Sequence, residues 1–124
     1  MYLPLAEDDP HRAPLLRVLE NVGHTFEGPD LVLDAWRAMG LKSDAEPTLA
    51  GLWAACSPIT WTWEQFGDVA FYGDRTDTRY LSHVALVIGH QLVLTSEPWV
   101  RIERPRYRPD FLGCGRISSG EFGA

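Results

Sequence analysis

The stretch Ser82-His83-Val84-Ala85-Leu86-Val87-Ile88-Gly89 decides the fold, because it is a continuous apolar run that opens on a histidine. Its aliphatic and β-branched residues predict a buried strand. Just before it, Gly67-Asp68-Val69-Ala70-Phe71-Tyr72-Gly73 predicts a second strand, which opens on Gly-Asp. A strand that begins with histidine holds the imidazole rigidly, as a general base or the partner of a nucleophile requires. The function therefore depends on whether the chain also supplies a nucleophile for His83.

Helices are predicted before these two strands and further strands after them. The predicted helices cover residues 14–22, 31–39 and 47–55, and the later strands cover residues 92–96 and 113–117. Asp30 is the predicted N-cap of the second helix, and Gly40 is its predicted C-terminal cap. Gly89-His90-Gln91 predicts a tight hairpin. This order predicts an α+β fold in which N-terminal helices pack on a small antiparallel sheet.

The remaining segments are predicted to be irregular. Residues 59–65 predict a short strand or an extended loop, and residues 73–81 and 101–110 predict loops. With 124 residues, the chain is predicted to form a single domain with an N-terminal arm at 1–10 and a tail at 118–124.

Composition excludes several classes of partner. The net charge is -6 and the sequence pI is about 5.1, which argues against binding to nucleic acid or to an anionic membrane surface. No apolar run approaches the roughly 18 residues of a membrane span. The N-terminal residues lack the basic and apolar regions of a signal peptide, so the expected location is the cytoplasm or a larger particle such as a virion.

The two cysteines, Cys56 and Cys114, do not form a disulfide framework or a zinc motif. The acidic residues have no spacing typical of metal ligands, so we expect neither a metal nor another cofactor. Free thiols are the expected state of both cysteines.

Four segments together resemble the NlpC/P60 family of cysteine peptidases. They are the two strands above, the closing stretch Asp110-Phe111-Leu112-Gly113-Cys114-Gly115-Arg116-Ile117, and the helix Leu31-Val32-Leu33-Asp34-Ala35-Trp36-Arg37-Ala38-Met39-Gly40. The resemblance covers roughly residues 14 to 117. It implies a papain-like fold and an ancestry among enzymes that cleave cell-wall stem peptides.

The resemblance also locates the family's catalytic positions in this chain. The family signature at the start of the nucleophile helix is Asp-Cys-Ser-Gly, where this chain has Glu27-Gly28-Pro29-Asp30. Gly28 thus takes the place of the cysteine, and a one-residue shift gives Pro29. His83 matches the family's histidine, and Thr95 matches the third polar position, although its short hydroxyl is expected to orient the ring poorly. The resemblance therefore implies an inactive domain, a pseudoenzyme.

An alternative is a divergent hydrolase or acyl transferase that uses His83 with a displaced nucleophile. Cys56 is one candidate, but it lies near the end of a predicted helix, where the dipole raises a thiol pKa. Glu27 or Asp30 is another, as a carboxylate that activates water. Cys114 is expected to be a packed core thiol.

Tryptophan and arginine residues suggest binding surfaces. Trp61 and Trp63 would face the same side of an extended segment and form an aromatic wall for a ligand, whereas Trp53 and Trp99 are expected to cover the core. A strip of arginines would bind a carboxylate-bearing ligand or an acidic partner, or would pair with the local acids Glu103 and Asp110. The strip consists of Arg101, Arg104, Arg106 and Arg108.

Together these residues predict an inactive NlpC/P60-like domain with a binding or structural role. Its expected partner is a peptide, such as a cell-wall (peptidoglycan) peptide, or a protein segment held in the vestigial cleft. Since members of the family also occur in phage tails, an assembly role in a virion is part of the same prediction. Glu27, Asp30, Trp61 and Trp63 are the predicted binding residues around His83 and Thr95.

Overall fold

The computed structural model describes residues 5–41, 43–59, 64–74, 77–96, 99–105 and 108–117, and for residues 77–79 only the backbone. Its helices precede the main strands, as an α+β fold requires. They are α1 (Arg12–Leu19), α2 (Gly28–Ala38) and α3 (Leu49–Ala55). In the described part of the chain, no helix is both long and apolar enough to cross a membrane.

The strands form one six-stranded sheet whose described pairings are all antiparallel, in the order β1-β6-β2-β3-β4-β5. The strands are β1 (Cys56–Ile59), β2 (Val69–Asp74), β3 (Asp77–Gly89), β4 (Leu92–Thr95), β5 (Arg101–Glu103) and β6 (Phe111–Ile117). β6, the last strand of the described residues, thus lies between β1 and β2.

Alternation along the strands gives the sheet two buried faces. One face packs against the apolar sides of α1 and α2, through residues such as Val84 and Leu86 opposite Leu31 and Trp36. The other face carries a smaller cluster built on Tyr72, and its buried members are Ala70, Tyr72, Ala85, Val87, Val93 and Cys114. Helices cover the first face, and the polar residues considered below lie on the second.

Several predicted boundaries are wrong at the edges of the sheet. Residues 56–59 continue directly from α3 as β1, a strand that the sequence did not predict. The predicted loop at 73–81 is largely strand, because β2 extends to Asp74 and β3 begins at Asp77. Within the predicted irregular stretch 101–110, β5 pairs with β4. The predicted hairpin is confirmed, with Gln91 at a φ of 57°.

Candidate active site

Two local features position α2: its N-terminal turn and a hydrogen bond made farther along the helix. Glu27 is the N-cap, and Pro29 occupies the first turn, where its missing N–H costs nothing. Farther along, the indole nitrogen of Trp36 donates a 2.8 Å hydrogen bond to the carbonyl oxygen of Gly67. The prediction that Asp30 caps this helix is wrong, because the helix begins two residues earlier, at Gly28.

Gly28 is buried and faces the histidine at the start of the apolar run. A Cβ atom built on it would lie 3.7 Å from Cε1 of His83. The same atom would lie 2.9 Å from the carbonyl oxygen of Val84, closer than a Cβ normally approaches a backbone atom. A side chain at this position therefore requires the helix or the strand to move. Gly28 and His83, which the resemblance assigned to two separate catalytic positions, therefore lie close together.

His83 and Thr95 form a buried hydrogen-bonded pair. Nε2 of His83 lies 2.7 Å from Oγ1 of Thr95, and the two residues are only 5% and 1% exposed. The short threonine hydroxyl therefore does reach the ring nitrogen. The register explains why, since Thr95 follows Val93 and Leu94 on β4 and lies diagonally across from His83 on the same face.

Tyr72 is a neighbour of His83 that the sequence did not identify. The two residues are opposite each other in the β2–β3 register, and their ring centroids are 5.4 Å apart. Burial raises the pKa of the Tyr72 hydroxyl, and the carboxylate of Glu103 raises it further. This hydroxyl has no hydrogen-bond partner within the described residues. It is therefore a neutral phenol next to the imidazole. Only the pairing of β2 with β3 reveals that Tyr72 lies beside His83.

The guanidinium of Arg108 lies over the Tyr72 ring, with Cζ 4.7 Å from the centroid. It also donates to both carboxylate oxygens of Asp110, at 3.1 and 3.0 Å. Asp110 accepts a further hydrogen bond from the hydroxyl of Ser82, at 3.2 Å. The hydrogen bonds from Arg108 hold the pKa of Asp110 below its usual value. This chain of contacts ties the segment before β6 to the residue that precedes His83.

The arginine strip is paired with local acids where the structure describes it. Arg108 binds Asp110, and Arg101 lies 3.5 Å from a carboxylate oxygen of Glu103. Of the two interpretations of the strip, these contacts favour local pairing over a ligand site. Arg106 lies outside the described residues.

Cys56 is far from the histidine, so the hypothesis of a displaced thiol nucleophile at Cys56 is wrong. It lies on β1, three strand spacings from β3 across β6 and β2, which is about 14 Å at the usual spacing of neighbouring strands. In the β1–β6 register it is opposite Ile117, whereas Phe111 is the β6 residue opposite Tyr72. The separation along the strands adds to the distance across them.

Burial disfavours the thiolate form of both cysteines. Burial raises the pKa of Cys56 to about 12 and that of Cys114 to about 12. Cys114 is opposite Ile59, three residues from Cys56 along β1. An odd spacing places the two side chains on opposite faces of the sheet, with Cα atoms roughly 10 Å apart, too far for a disulfide. Both cysteines are free, as expected.

The other predicted binding residues are not brought to the histidine by any described contact. Glu27 and Asp30 line a concavity of about 400 Å³ on the outer side of the α2 start, together with Asp34 and Arg37. Trp61 and Trp63 lie outside the described residues. Within the described part of the chain, no three metal-ligating side chains are grouped as a metal site.

Trp53 and Trp99 are more exposed than expected for residues that cover the core. They are 39% and 53% exposed. Trp53 still packs edge-on against Phe71, with ring centroids 5.0 Å apart, and lines an apolar concavity of about 300 Å³ beside β1. Cys56 lies in the wall of the same concavity.

No family model matches the sequence, and the comparison with curated proteins found no match. Solved structures are similar in fold. A Staphylococcus aureus protein described as similar to lipoprotein, NLP/P60 family, superposes with a TM-score of 0.72 at 13% identity over 90% of this chain. NlpC1 from Trichomonas vaginalis superposes with a TM-score of 0.64 at 16% identity, also over 90% of this chain. The chain has the NlpC/P60 fold.

This chain spans less than half of each of the two proteins, 42% of the first and 45% of the second. The similarity is therefore one of fold alone. Neither similarity carries the activity of the longer proteins to this chain.

Proposed function

We propose that this domain is a catalytically inactive NlpC/P60-like module with a binding or structural role. The observation that carries the proposal is Gly28, a residue without a side chain at the helix start that faces His83. Thiol catalysis requires a thiolate at the helix N-terminus and an imidazole in contact with it. Loss of the nucleophile from such a unit costs on the order of 10⁶ in turnover.

The packing around Gly28 supports the same proposal. Because a Cβ would lie 2.9 Å from the carbonyl oxygen of Val84, the helix is closer to the strand than a cysteine allows. The histidine is also buried, and its Nε2 is engaged with the Thr95 hydroxyl. The imidazole then acts as a fixed link between β3 and β4, which is a structural role.

The partner we propose is a peptide, including a cell-wall stem peptide, or a segment of a protein in an assembly such as a phage tail. Trp61 and Trp63 remain the predicted aromatic contacts, and Glu27 and Asp30 line the concavity next to the helix start. Carboxylates at that position favour a ligand with an amine or another cationic group.

Hydrolysis of stem peptides released from bacterial cell walls tests the inactivity. We expect no product above the uncatalysed background from the wild-type chain. Gly28→Cys is expected to remain inactive as well, because restoring the thiol does not restore the space for it. Cleavage by the wild-type chain that disappears in His83→Ala would overturn the proposal.

Binding of the same peptides, measured by calorimetry, tests the partner class. Trp61→Ala/Trp63→Ala is expected to abolish binding, and Trp99→Ala is the matched control because Trp99 is an exposed tryptophan that the prediction does not assign to the ligand. Binding that survives the double substitution would show that the aromatic pair is not the contact surface.

A further inference from the structure

The two edges of the sheet differ in their ability to pair with another strand. The strand order leaves β1 at one edge and β5 at the other. β1 contains Pro58, which has no N–H to donate, and proline in an edge strand protects it against further pairing. β5 carries Arg101, Ile102 and Glu103, all of which have a backbone donor. The edge that remains competent to pair is therefore β5.

The backbone direction of β5 follows from the residue before it. Val100 donates to the carbonyl oxygen of His24 at 2.9 Å and accepts from the N–H of Gly23 at 2.8 Å, on the side away from β4. Backbone groups of successive residues in a strand point to alternate sides. Arg101 therefore pairs with Thr95 on β4, and the N–H and C=O of Ile102 point outward, away from the sheet. Ile102 is 49% exposed.

We propose that two copies of this chain associate by pairing their β5 strands antiparallel, centred on Ile102. In that arrangement Ile102 is opposite Ile102 of the second copy, and each donates to and accepts from the other. Arg101 is then opposite Glu103 of the second copy, and Glu103 is opposite its Arg101. Opposite charges directly across an antiparallel pair are stabilising, so the sequence Arg-Ile-Glu is complementary to itself about this two-fold axis.

Exposed apolar residues surround the same edge. Trp99 is 53% exposed and Val22 is 44% exposed, and both flank the backbone bonds between Gly23 and Val100. Apolar side chains next to a free strand edge are typical of association surfaces. They supply the buried area that two hydrogen bonds and two ion pairs alone do not provide.

The pairing is limited to three residues on each copy. Gly23 and His24 occupy the edge beside Val100, and the strand ends before Pro105. The dimer is therefore small, and we expect weak association that is sensitive to salt, since the Arg101 side chain at this edge is 39% exposed. This inference does not depend on whether the domain cleaves peptides.

Sedimentation equilibrium tests the proposal between about 10 µM and about 1 mM, the range in which a small interface associates. We expect a monomer–dimer equilibrium that shifts toward the monomer in high salt. Arg101→Glu places like charges opposite each other and is expected to weaken the dimer at least about tenfold. The exchange Arg101→Glu/Glu103→Arg restores opposite charges, within a copy and between copies, and is expected to recover the wild-type constant.

Ile102→Pro is a second variant that removes the outward N–H and leaves the charges unchanged. It is expected to abolish the dimer, while circular dichroism checks that the sheet is retained. A wild-type chain that is monomeric at about 1 mM overturns the proposal. An unchanged dissociation constant in Arg101→Glu also overturns it. So does a failure of the charge exchange to recover the wild-type dissociation constant.

Discussion

The surroundings of His83 and of Cys56 each contain half of what thiol catalysis requires. His83 has a rigid position on β3, a polar partner in Thr95 and a helix start facing it at Gly28, but no thiol. Cys56 has a thiol in the wall of an apolar concavity, but it lies three strands from the imidazole.

The difference shows that catalytic residue types have meaning only through their contacts. A thiol becomes a nucleophile when a nearby cation or helix N-terminus lowers its pKa, and Cys56 follows the C-terminal end of α3 instead. Conversely, the imidazole of His83 has no thiol beside it and instead contacts Thr95 on the neighbouring strand. The following predictions test each half of this comparison.

The largest expected effect concerns the thiols. With a pKa of about 12, Cys56 is almost fully protonated at pH 8. Alkylation by iodoacetamide should be roughly 10³-fold slower than for an unperturbed cysteine and should rise about tenfold per pH unit. The rate constant of the native chain at pH 8, measured by mass spectrometry, checks this. The urea-unfolded chain is the control, and rapid labelling at neutral pH that requires His83 would contradict it.

The next effect concerns the helix start. Replacing glycine by alanine within a helix usually stabilises it by up to about 1 kcal/mol. Gly28→Ala is expected to do the opposite and to lower the free energy of unfolding by about 1–3 kcal/mol, because the added methyl group overpacks the contact with Val84. Urea unfolding measures the change. Arg37→Ala on the exposed side of the same helix is the control and should change stability by less than about 0.5 kcal/mol.

A gain in stability from Gly28→Ala would mean that the helix tolerates a side chain there. In that case the space for a nucleophile would still exist, and the difference between the two regions would reduce to one missing thiol.

A smaller effect is expected at the partner of the histidine. Thr95→Val keeps the shape of the side chain but removes the hydroxyl that lies 2.7 Å from Nε2 of His83. Leaving a buried polar group without this partner should cost about 1–2 kcal/mol. Thr95→Ser retains the hydroxyl and should recover most of the loss. Equal stability of the valine variant and the wild type would show that the hydrogen bond contributes nothing.

The smallest effect is expected at Asp110, whose pKa is lowered chiefly by its hydrogen bonds to Arg108. The pKa of this carboxylate is lower in the folded state than its ordinary value of 3.8. The ionised group therefore stabilises the fold above pH 3.8, and this stabilisation is lost as the pH falls through the folded-state pKa. Asp110→Asn should therefore be less stable than the wild type at pH 7, with a difference that narrows by pH 3. Urea unfolding at both pH values measures it, and a constant difference would refute the linkage.

The sequence predicted the central strands well because their patterns are strong. The apolar run after His83 and the strand that opens on Asp68 are buried on both faces, so nearly every residue in them is apolar. The helix opposite them was predicted to begin at Leu31 because Gly28 and Pro29 are typical of turns. Pro29 is equally suited to a first helical turn, and the sequence alone did not distinguish the two.

The edges of the sheet and the polar contacts were harder to predict. Pro58 and the charges of β5 are features of edge strands, and a single sequence presents them as loop signals. The bond between His83 and Thr95 depends on the register of two strands, which places a short side chain within reach of the ring. The residue types identified His83 and Thr95 as candidates, whereas the strand pairing determined the distance between their side chains.

The position of β6 has a consequence for how the sheet assembles. β1 is paired along residues 56–59, yet its partner spans residues 111–117 and also pairs with β2. Until β6 has been synthesised, β1 has no neighbour and β2 has an open side. Pairing between such distant segments is slow, because the intervening chain must be ordered before the contact forms. A chain interrupted before Phe111 would expose β2, which is among the most apolar strands, as a template for aggregation.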